Sequence, residues 1–466
     1  MEFVDRVNEL EELERVLHRS EKSSFVVIYG RRRLGKSTLI RKALTDEDIY
    51  YMAGDFANQV QLDLLQAQLS EKFPDMARGT FNSWEDILMM LNTLSTERYT
   101  LCLDEFPYIV KNCPQLPSTL QKIIDSKTLK YNLIICGSSQ RMMQDMILSP
   151  SEPLYGRCDA LFNLQPIPIK YLQNVLSLSP VETIEEYSVW GGVPRYWEFR
   201  EIYENLDDTI SATMLSMQSV LHNEPKRLFL DDLSQTVQSE SLMSIVASGA
   251  NRISEIAGRI GKDATTLSAP LDRLIQMGYL RREIPFGESP KKSKKGIYRI
   301  NDPFMDFYYT FIIPNMSNIL RGRKKTVMEM IKEHRPQYVS RHWEHICHEA
   351  VSGNYFANHT WGEACRWWGN VPDATSKTKF SPIEIDVIAE STDGKALLIG
   401  ECKWTEGEYA GRLLAQLKEK TSTLPHAKGK EVVYALFLKY APKDSFCENV
   451  FLPEDVIPLT FGDPEL

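Results

Sequence analysis

The sequence predicts an α/β fold, and three observations predict it. The run FVVIY at 25–29 is apolar and β-branched, and it ends in Gly30, where Gly-x-x-x-x-Gly-Lys-Ser begins. Four more short apolar runs alternate with helix-like segments up to residue 167, the pattern of a mainly parallel sheet. Two further strand-like runs, EIDVIA and ALLIGECK, flank a Thr-Asp-Gly turn inside 381–404, so a second α/β region lies near the C-terminus.

The first run sets the ligand class. In the P-loop pattern Gly30-Arg31-Arg32-Arg33-Leu34-Gly35-Lys36-Ser37, the glycines let the backbone fold tightly around an anion. Successive N–H groups and the following helix N-terminus, beginning at Ser37-Thr38, then point at phosphates. Lys36 is expected to reach the β- and γ-phosphates of a nucleoside triphosphate, and Ser37 to hold Mg²⁺.

Composition bounds the rest. A chain of 466 residues suggests about three domains. Hydrophobic content of 43 % and charged content of 25 % describe an ordinary globular protein. No apolar run approaches the ~18 residues of a membrane span, and the acidic N-terminus lacks a signal-peptide core. Eight cysteines, at 102, 113, 136, 158, 347, 365, 402 and 447, form no CxxC. Buried reduced thiols in the cytoplasm are expected. A net charge of −9 argues against wholesale coating of nucleic acid. The charge is uneven, however. Arg281, Arg282, Lys291, Lys292, Lys294, Lys295 and Arg299 form one basic cluster, and Arg321, Arg323, Lys324 and Lys325 another. These are either a solvated hairpin and linker or a face for a phosphate backbone.

The strands after the P-loop are expected in DIYYMAGD (48–55), YTLCLDEF (99–106), NLIICGSS (132–139) and ALFNLQPI (160–167), with helices such as 84–94 and 118–126 between them. Ligands of such sheets sit at the strands' C-terminal ends. Asp104 there can hold Mg²⁺ through water, and Glu105 can polarise the attacking water. Ser138-Ser139 ends the next strand, where a γ-phosphate sensor or a plain Gly-Ser-Ser turn would lie. Arg157 is either an arginine finger, in cis or across subunits, or half of a surface ion pair.

The segments FVDRVNELEELERVL, GRRRLGKS, LDEFPYI, CGSSQRMM, PLYGR and GGVPRYWE resemble the archaeal-type ATPase family, in the AAA+/STAND-like branch of P-loop ATPases with an extra catalytic Glu. The resemblance covers roughly 1–235. It implies ATP as ligand, Gly30–Ser37 as Walker A and Asp104-Glu105 as Walker B. It further implies Ser138 or Ser139 as sensor, Gly192-Val193-Pro194 in a helical lid, and FVDR near the adenine.

Residues 241–286 carry apolar spacing for three helices and then a strand. Gly261 would close one helix, Asp263 would cap the next, and Gly278 would stop it. GYLRREIPFGESPKKSKKGIYRI (278–300) reads as a two-stranded wing. This winged helix-turn-helix would present Thr265, Thr266, Ser268, Arg273 and Gln276 to a major groove. Pro270 is expected to kink that helix. The alternative is a packing module without nucleic acid.

In the C-terminal region, Asp386 lies on one strand and Glu401 and Lys403 on the next, two apart and therefore on one face. Such a trio can bind Mg²⁺ and activate water at a phosphate. The segments ACRWWGN, EIDVIA, IGECKW and YALFLK resemble the nuclease-like domain often fused to this ATPase family, which is similar to the PD-(D/E)XK superfamily. The resemblance covers roughly 340–440. It implies Asp386, Glu401 and Lys403 as the signature triad, with Asp386 and Glu401 as metal ligands and Glu344 as an upstream acid. Glu384 shares the face of Asp386 and could replace or crowd it as the metal acid. His345 and His348 read as structural, and Trp367, Trp368 and Trp404 as core.

The expected parts are a P-loop ATPase core (1–167), a helical lid (168–235), a winged helix (236–305), a helical linker (306–340) and a restriction-endonuclease-like domain (341–466). The leading expectation is a Mg²⁺-dependent ATPase coupled through the winged helix to a nuclease-like effector acting on DNA, as a homo-oligomer or with a protein partner and away from membranes. The alternative is an ATP-dependent signalling switch or DNA-binding regulator whose nuclease-like domain does not cut.

Overall fold

The computed structural model describes residues 3–19, 22–94, 98–232, 236–373, 376–444 and 449–460. Cys447 lies outside them, and the seven described cysteines are free thiols. Contacts divide the chain into two compact units. One comprises 1–166 with 193–195 and 227–234, the other 167–192, 196–226 and 235–466. The helices expected as a lid therefore fall mostly into the second unit.

The first unit is a five-stranded sheet, β1 (Phe25–Tyr29), β2 (Ile49–Met52), β3 (Thr100–Asp104), β4 (Asn132–Gly137) and β5 (Ala160–Asn163). Its order is β2-β3-β4-β1-β5, and every pairing is parallel. Alternation explains the continuous apolar runs. Val26, Ile28, Cys102 and Ile134 enter one core with Leu39 and Ile40 of the P-loop helix. Val27, Leu101, Leu103, Leu133 and Ile135 enter another with Leu62, Leu65 and Trp84. A parallel sheet covered on both faces needs apolar residues at both alternations.

In the second unit, Gly191 takes φ +57°, and a Cβ on Gly192 would stand 2.0 Å from the Ile167 carbonyl oxygen. The Gly-Gly pair of GGVPRYWE is thus a close backbone crossing. Helices Thr236–Ala247, Ile253–Ile260 and Ala264–Gln276 precede a hairpin of β6 (Leu280–Glu283) and β7 (Ile297–Ile300). Gly261 closes its helix at φ +69°, as expected. Asp263 occupies the N-cap position, but its side chain makes no cap bond. Instead the Thr266 hydroxyl donates to the Asp263 carbonyl (2.7 Å). Pro270 lies inside the helix Ala264–Gln276, which continues on either side of it.

One helix, Lys324–Val351, runs through the boundary expected at 340/341. It buries Val327, Ile331, Val339, Trp343 and Ile346 along its length, so the linker and the next domain share one element. A short hairpin, β8 (Tyr355–Phe356) and β9 (His359–Thr360), follows. Then come β10 (Cys365–Asp373), β11 (Ser376–Glu390), β12 (Ala396–Lys403), β13 (Glu431–Leu438) and β14 (Val450–Phe451). They stand in sequence order. β10-β11-β12 is antiparallel, and β12-β13 and β13-β14 are parallel. A parallel step needs a crossover, and helix Ala410–Thr421 supplies it between β12 and β13. Trp367 and Trp404 are buried, and Trp368 is half-buried. Among the described residues, no helix is long and apolar enough to cross a membrane.

Candidate functional site

The P-loop connects β1 to helix Lys36–Ala43. Gly30 takes φ +151°, and a Cβ there would meet the Leu164 carbonyl oxygen at 2.7 Å. Gly35 takes φ +86° in open space, so its backbone conformation alone demands glycine. Arg31, Leu34 and Lys36 are buried, Arg32, Arg33 and Ser37 half-buried, and Thr38 exposed. Lys36 Nζ donates to the carbonyls of Gly30 (2.8 Å) and Arg31 (3.0 Å). The ammonium thus rests on the loop it would leave for a phosphate.

Parallel pairing sets the acids beside it. Ser37 Oγ donates to Asp104 Oδ2 (2.7 Å). Tyr50 OH donates to the same oxygen, and the Glu105 N–H donates to Asp104 Oδ1 (2.8 Å). Burial pushes the Asp104 carboxyl up, but hydrogen bonds from Tyr50, Cys136, Ser37 and the Glu105 amide outweigh it, so the group sits below its ordinary value. Burial and the Asp104 bond raise Tyr50, so it stays a donor. Glu105 has φ +53°, a left-handed turn that a non-glycine residue rarely adopts. Its carboxylate accepts from Ser138 Oγ (2.8 Å) and Ser138 N–H (3.3 Å).

The structure separates the two serines. Ser138 meets Glu105, whereas the Ser139 side chain caps helix Gln140–Leu148 through the Met142 N–H. Arg157 forks onto Asp125 (2.8 and 2.9 Å), so its guanidinium is engaged in an ion pair. For Mg²⁺ the donor set fits. A hydroxyl and a carboxylate lie together, and Mg²⁺ completes such sites with phosphate oxygens and waters.

A second polar cluster sits on the C-terminal sheet. Asp386 Oδ2 accepts the Cys402 N–H (2.9 Å), and His348 Nε2 lies 2.6 Å from the Asp386 carbonyl oxygen. Lys403 Nζ donates to Glu401 Oε1 (2.7 Å) and Lys420 Nζ to Glu401 Oε2 (2.8 Å). Burial and the Glu401 charge push Asp386 up. Burial also pushes Glu401 up, but the two lysines outweigh it and hold it down. Burial raises Glu344 to about 7, with Arg366 opposing and Asp386 adding. Among the described residues, no three His, Cys, Asp or Glu side chains form a group that could hold a metal ion. As they stand, Asp386 and Glu401 do not fit a cation, because both Glu401 oxygens are taken by ammonium groups.

Glu384 accepts a charge-assisted bond from Arg366. Arg366 also faces Glu344 (3.6 Å) and Glu283 (3.7 Å). Glu283 binds Arg281 (2.9 Å) and Arg299 (3.0 Å) as well. Burial opposes its charge, yet Arg281, Arg299 and Arg366 hold it down at about 2. Arg282 donates to the carbonyls of Pro290 and Ser293, and Lys295 to Glu288. The arginines of the β6–β7 hairpin are therefore engaged within the fold, while Lys291, Lys292 and Lys294 remain exposed. Thr265, Thr266, Ser268 and Gln276 are exposed, and Arg273 is half-buried.

Sequence reasoning missed Tyr50, Lys420 and Arg366. Tyr50 stands out only once β2 is placed beside β3, and Lys420 only once its helix is laid against β12.

A family model described as an ATPase domain predominantly from Archaea matches residues 3–198. Another, described as Archaea bacterial proteins of unknown function, matches 308–420. An uncharacterized protein of Methanocaldococcus jannaschii is 31 % identical over 413 residues, 87 % of this chain and 88 % of that one. An uncharacterized ATP-binding protein of the same organism is 47 % identical over 47 residues, 10 % of this chain and 78 % of that one. Among solved structures, the Aeropyrum pernix ORC2 protein aligns at TM-score 0.43 and 14 % identity, covering 68 % of this chain and 94 % of that one. The Thermotoga maritima RuvB Holliday junction branch migration motor aligns at TM-score 0.32 and 16 % identity, covering 63 % and 92 %. Likenesses this loose define neither a ligand nor a partner.

Proposed function

The chain belongs to the family of that 31 %-identical Methanocaldococcus jannaschii protein and carries an ATPase domain of the kind found predominantly in Archaea; from that premise we propose that it is a Mg²⁺-dependent, AAA+/STAND-like ATPase coupled through a winged helix to a nuclease-like domain acting on DNA. The observation that carries the ATPase half is the hydrogen-bonded chain Ser37–Asp104–Glu105–Ser138 at the ends of β3 and β4. Lys36 leaves the carbonyls of Gly30 and Arg31 for the β- and γ-phosphates of ATP. Ser37 and Asp104 would hold Mg²⁺, which when bound would supply charge neutralisation on those phosphates. Glu105 turns from Ser138 toward the attacking water and accepts its hydrogen bond. Ser138, released from Glu105, is free to meet the γ-phosphate. The exchange of Ser138 partners links hydrolysis to a change at the end of β4.

For the output domain, support comes from its arrangement. An antiparallel β10-β11-β12 run with β13 added parallel brings Asp386, Glu401 and Lys403 to one place beside Glu344 of the long helix. The exposed lysines of the wing tip and the polar face of Ala264–Gln276 supply contacts for a phosphate backbone. A second reading, a DNA-binding regulator that does not cut, is favoured by one observation: the Glu401 carboxylate is occupied by two lysines.

Supercoiled DNA incubated with the full chain and Mg²⁺ or Mn²⁺, with and without ATP, tests the choice. Nicking by the wild type that Lys403→Ala loses supports the effector. Salt-sensitive binding without nicking under either metal favours the regulator.

A further inference from the structure

We propose that Lys420 is a second lysine of the C-terminal site, and that with Lys403 it clamps Glu401 shut against a divalent cation. The proposal rests on the reading of Asp386 and Glu401 as the acids of that site. It deepens that reading by making the resting site closed, with Lys420 as the residue that closes it.

The clamp follows from two independent elements. On β12, side chains alternate, so Glu401 and Lys403 share a face. Their side chains bond at 2.7 Å. Such a pair would leave the second oxygen of Glu401 open. Helix Ala410–Thr421 fills it from outside the strand. Ala410, Leu413 and Leu417 sink into the core formed by Ile385, Ile399 and Leu436, which fixes the helix against the sheet. Lys420 lies three residues past Leu417, next to it on the helix surface. Its ammonium stands 2.8 Å from Glu401 Oε2. Each oxygen of one carboxylate therefore carries its own ammonium. Asp386 is the neighbouring acid, and one of its oxygens is held by the Cys402 N–H. A cation at this pair competes with the two ammonium groups already bonded to Glu401. Charge-assisted bonds of this kind are the strong ones, so the cation must displace an ammonium rather than fill a gap. The lysines differ in how they could yield. Lys403 is tied to the strand that carries Glu401, whereas Lys420 comes from a separate helix and is the one whose removal opens the site without altering β12.

Mn²⁺ titration of the nucleotide-free full chain tests this by calorimetry, with wild type, Lys420→Met, Lys420→Arg and Lys420→Met combined with Asp386→Asn. Lys420→Met keeps the apolar stem and removes the charge, and it is expected to bind Mn²⁺ about tenfold more tightly than wild type, the scale of one charge-assisted bond. Lys420→Arg is expected to stay at the wild-type level, and the double variant to lose the gain. Thermal melting of each variant checks folding. A Lys420→Met variant that melts normally and binds Mn²⁺ no better than wild type overturns the clamp and leaves Lys420 a buttress. A gain that survives Asp386→Asn overturns it too, because the cation then lies elsewhere. Absence of Mn²⁺ binding in every variant overturns both the clamp and the metal reading of the site. A gain in Lys420→Met together with no DNA cleavage by wild type or variant upholds the clamp and rejects the nuclease reading alone.

Discussion

Two acidic centres stand at strand ends in this chain, and they differ in what holds their carboxylates. At the P-loop, Asp104 and Glu105 are held by neutral donors, the hydroxyls of Ser37, Tyr50 and Ser138 and backbone N–H groups. At the C-terminal sheet, Glu401 is held by Lys403 and Lys420, and Glu344 and Glu384 face Arg366. Neutral donors orient a carboxylate and leave its charge in place. Ammonium and guanidinium groups orient it and cancel the charge as well. The carboxylates of the first centre thus keep their charge, and that of Glu401 in the second is already balanced. The lesson is that similar acid spacing in sequence can describe two opposite electrostatic states.

The largest expected effect that could break this contrast is at Lys36. Lys36→Ala removes the ammonium resting on Gly30 and Arg31 and is expected to abolish measurable ATP hydrolysis, read as phosphate release. Retained turnover would mean that the loop does not carry the phosphates.

The charge-balanced half is sharpened by Glu283, the hub of Arg281, Arg299 and Arg366. Glu283→Gln leaves these arginines without their buried counter-charge and is expected to cost about 3 kcal/mol of stability in denaturant titration. The pH sign follows from its depressed pKa of about 2 against an ordinary 4.5. The stabilisation from Glu283 is complete above 4.5 and is lost as pH falls through about 2. Melting of the wild type from pH 6 downward should therefore show an acid loss that Glu283→Gln lacks.

A smaller effect is expected at Tyr50. Tyr50→Phe removes one neutral donor from Asp104 and should raise the Mg²⁺ concentration needed for half-maximal hydrolysis about tenfold, the scale of a bond to a charged group, with ATP affinity little changed. An unchanged Mg²⁺ requirement would remove Tyr50 from the account. The smallest effect is at Arg157, whose pairing with Asp125 lies at the exposed surface, where an ion pair contributes little. Arg157→Ala should leave hydrolysis near wild type. A loss on the scale of a thousandfold, the range of an arginine finger, would reverse that placement.

Much of the first centre was legible in the sequence because its signals are local. Gly30, Gly35, Lys36 and Ser37 lie within one loop, and Asp104-Glu105 ends an apolar run. The strands expected after it all form, because a sheet buried on both faces leaves unbroken apolar stretches. What was not legible depends on tertiary neighbours. Ser138 and Ser139 are equivalent in sequence, and a helix cap separates them. Tyr50 reaches Asp104 because β2 lies beside β3, an order that no local pattern states. At the second centre, alternation put Glu401 and Lys403 on one face and Asp386 lay on the strand before, but Lys420 and Arg366 come from elements whose docking decides their partners. The basic β6–β7 hairpin was legible as charge. Its engagement by Glu283 was not, since that needs the register of β6 against β7 and the approach of β10.

The proposed ATP hydrolysis at the neutral-donor centre runs through Glu105. Its most direct test is the steady-state ATP turnover of Glu105→Gln beside wild type, with ATP binding measured on the same preparations. Loss of about a hundredfold or more in turnover, the range of a positioned general base, with ATP binding retained, is the result expected. Turnover that survives the substitution would contradict it.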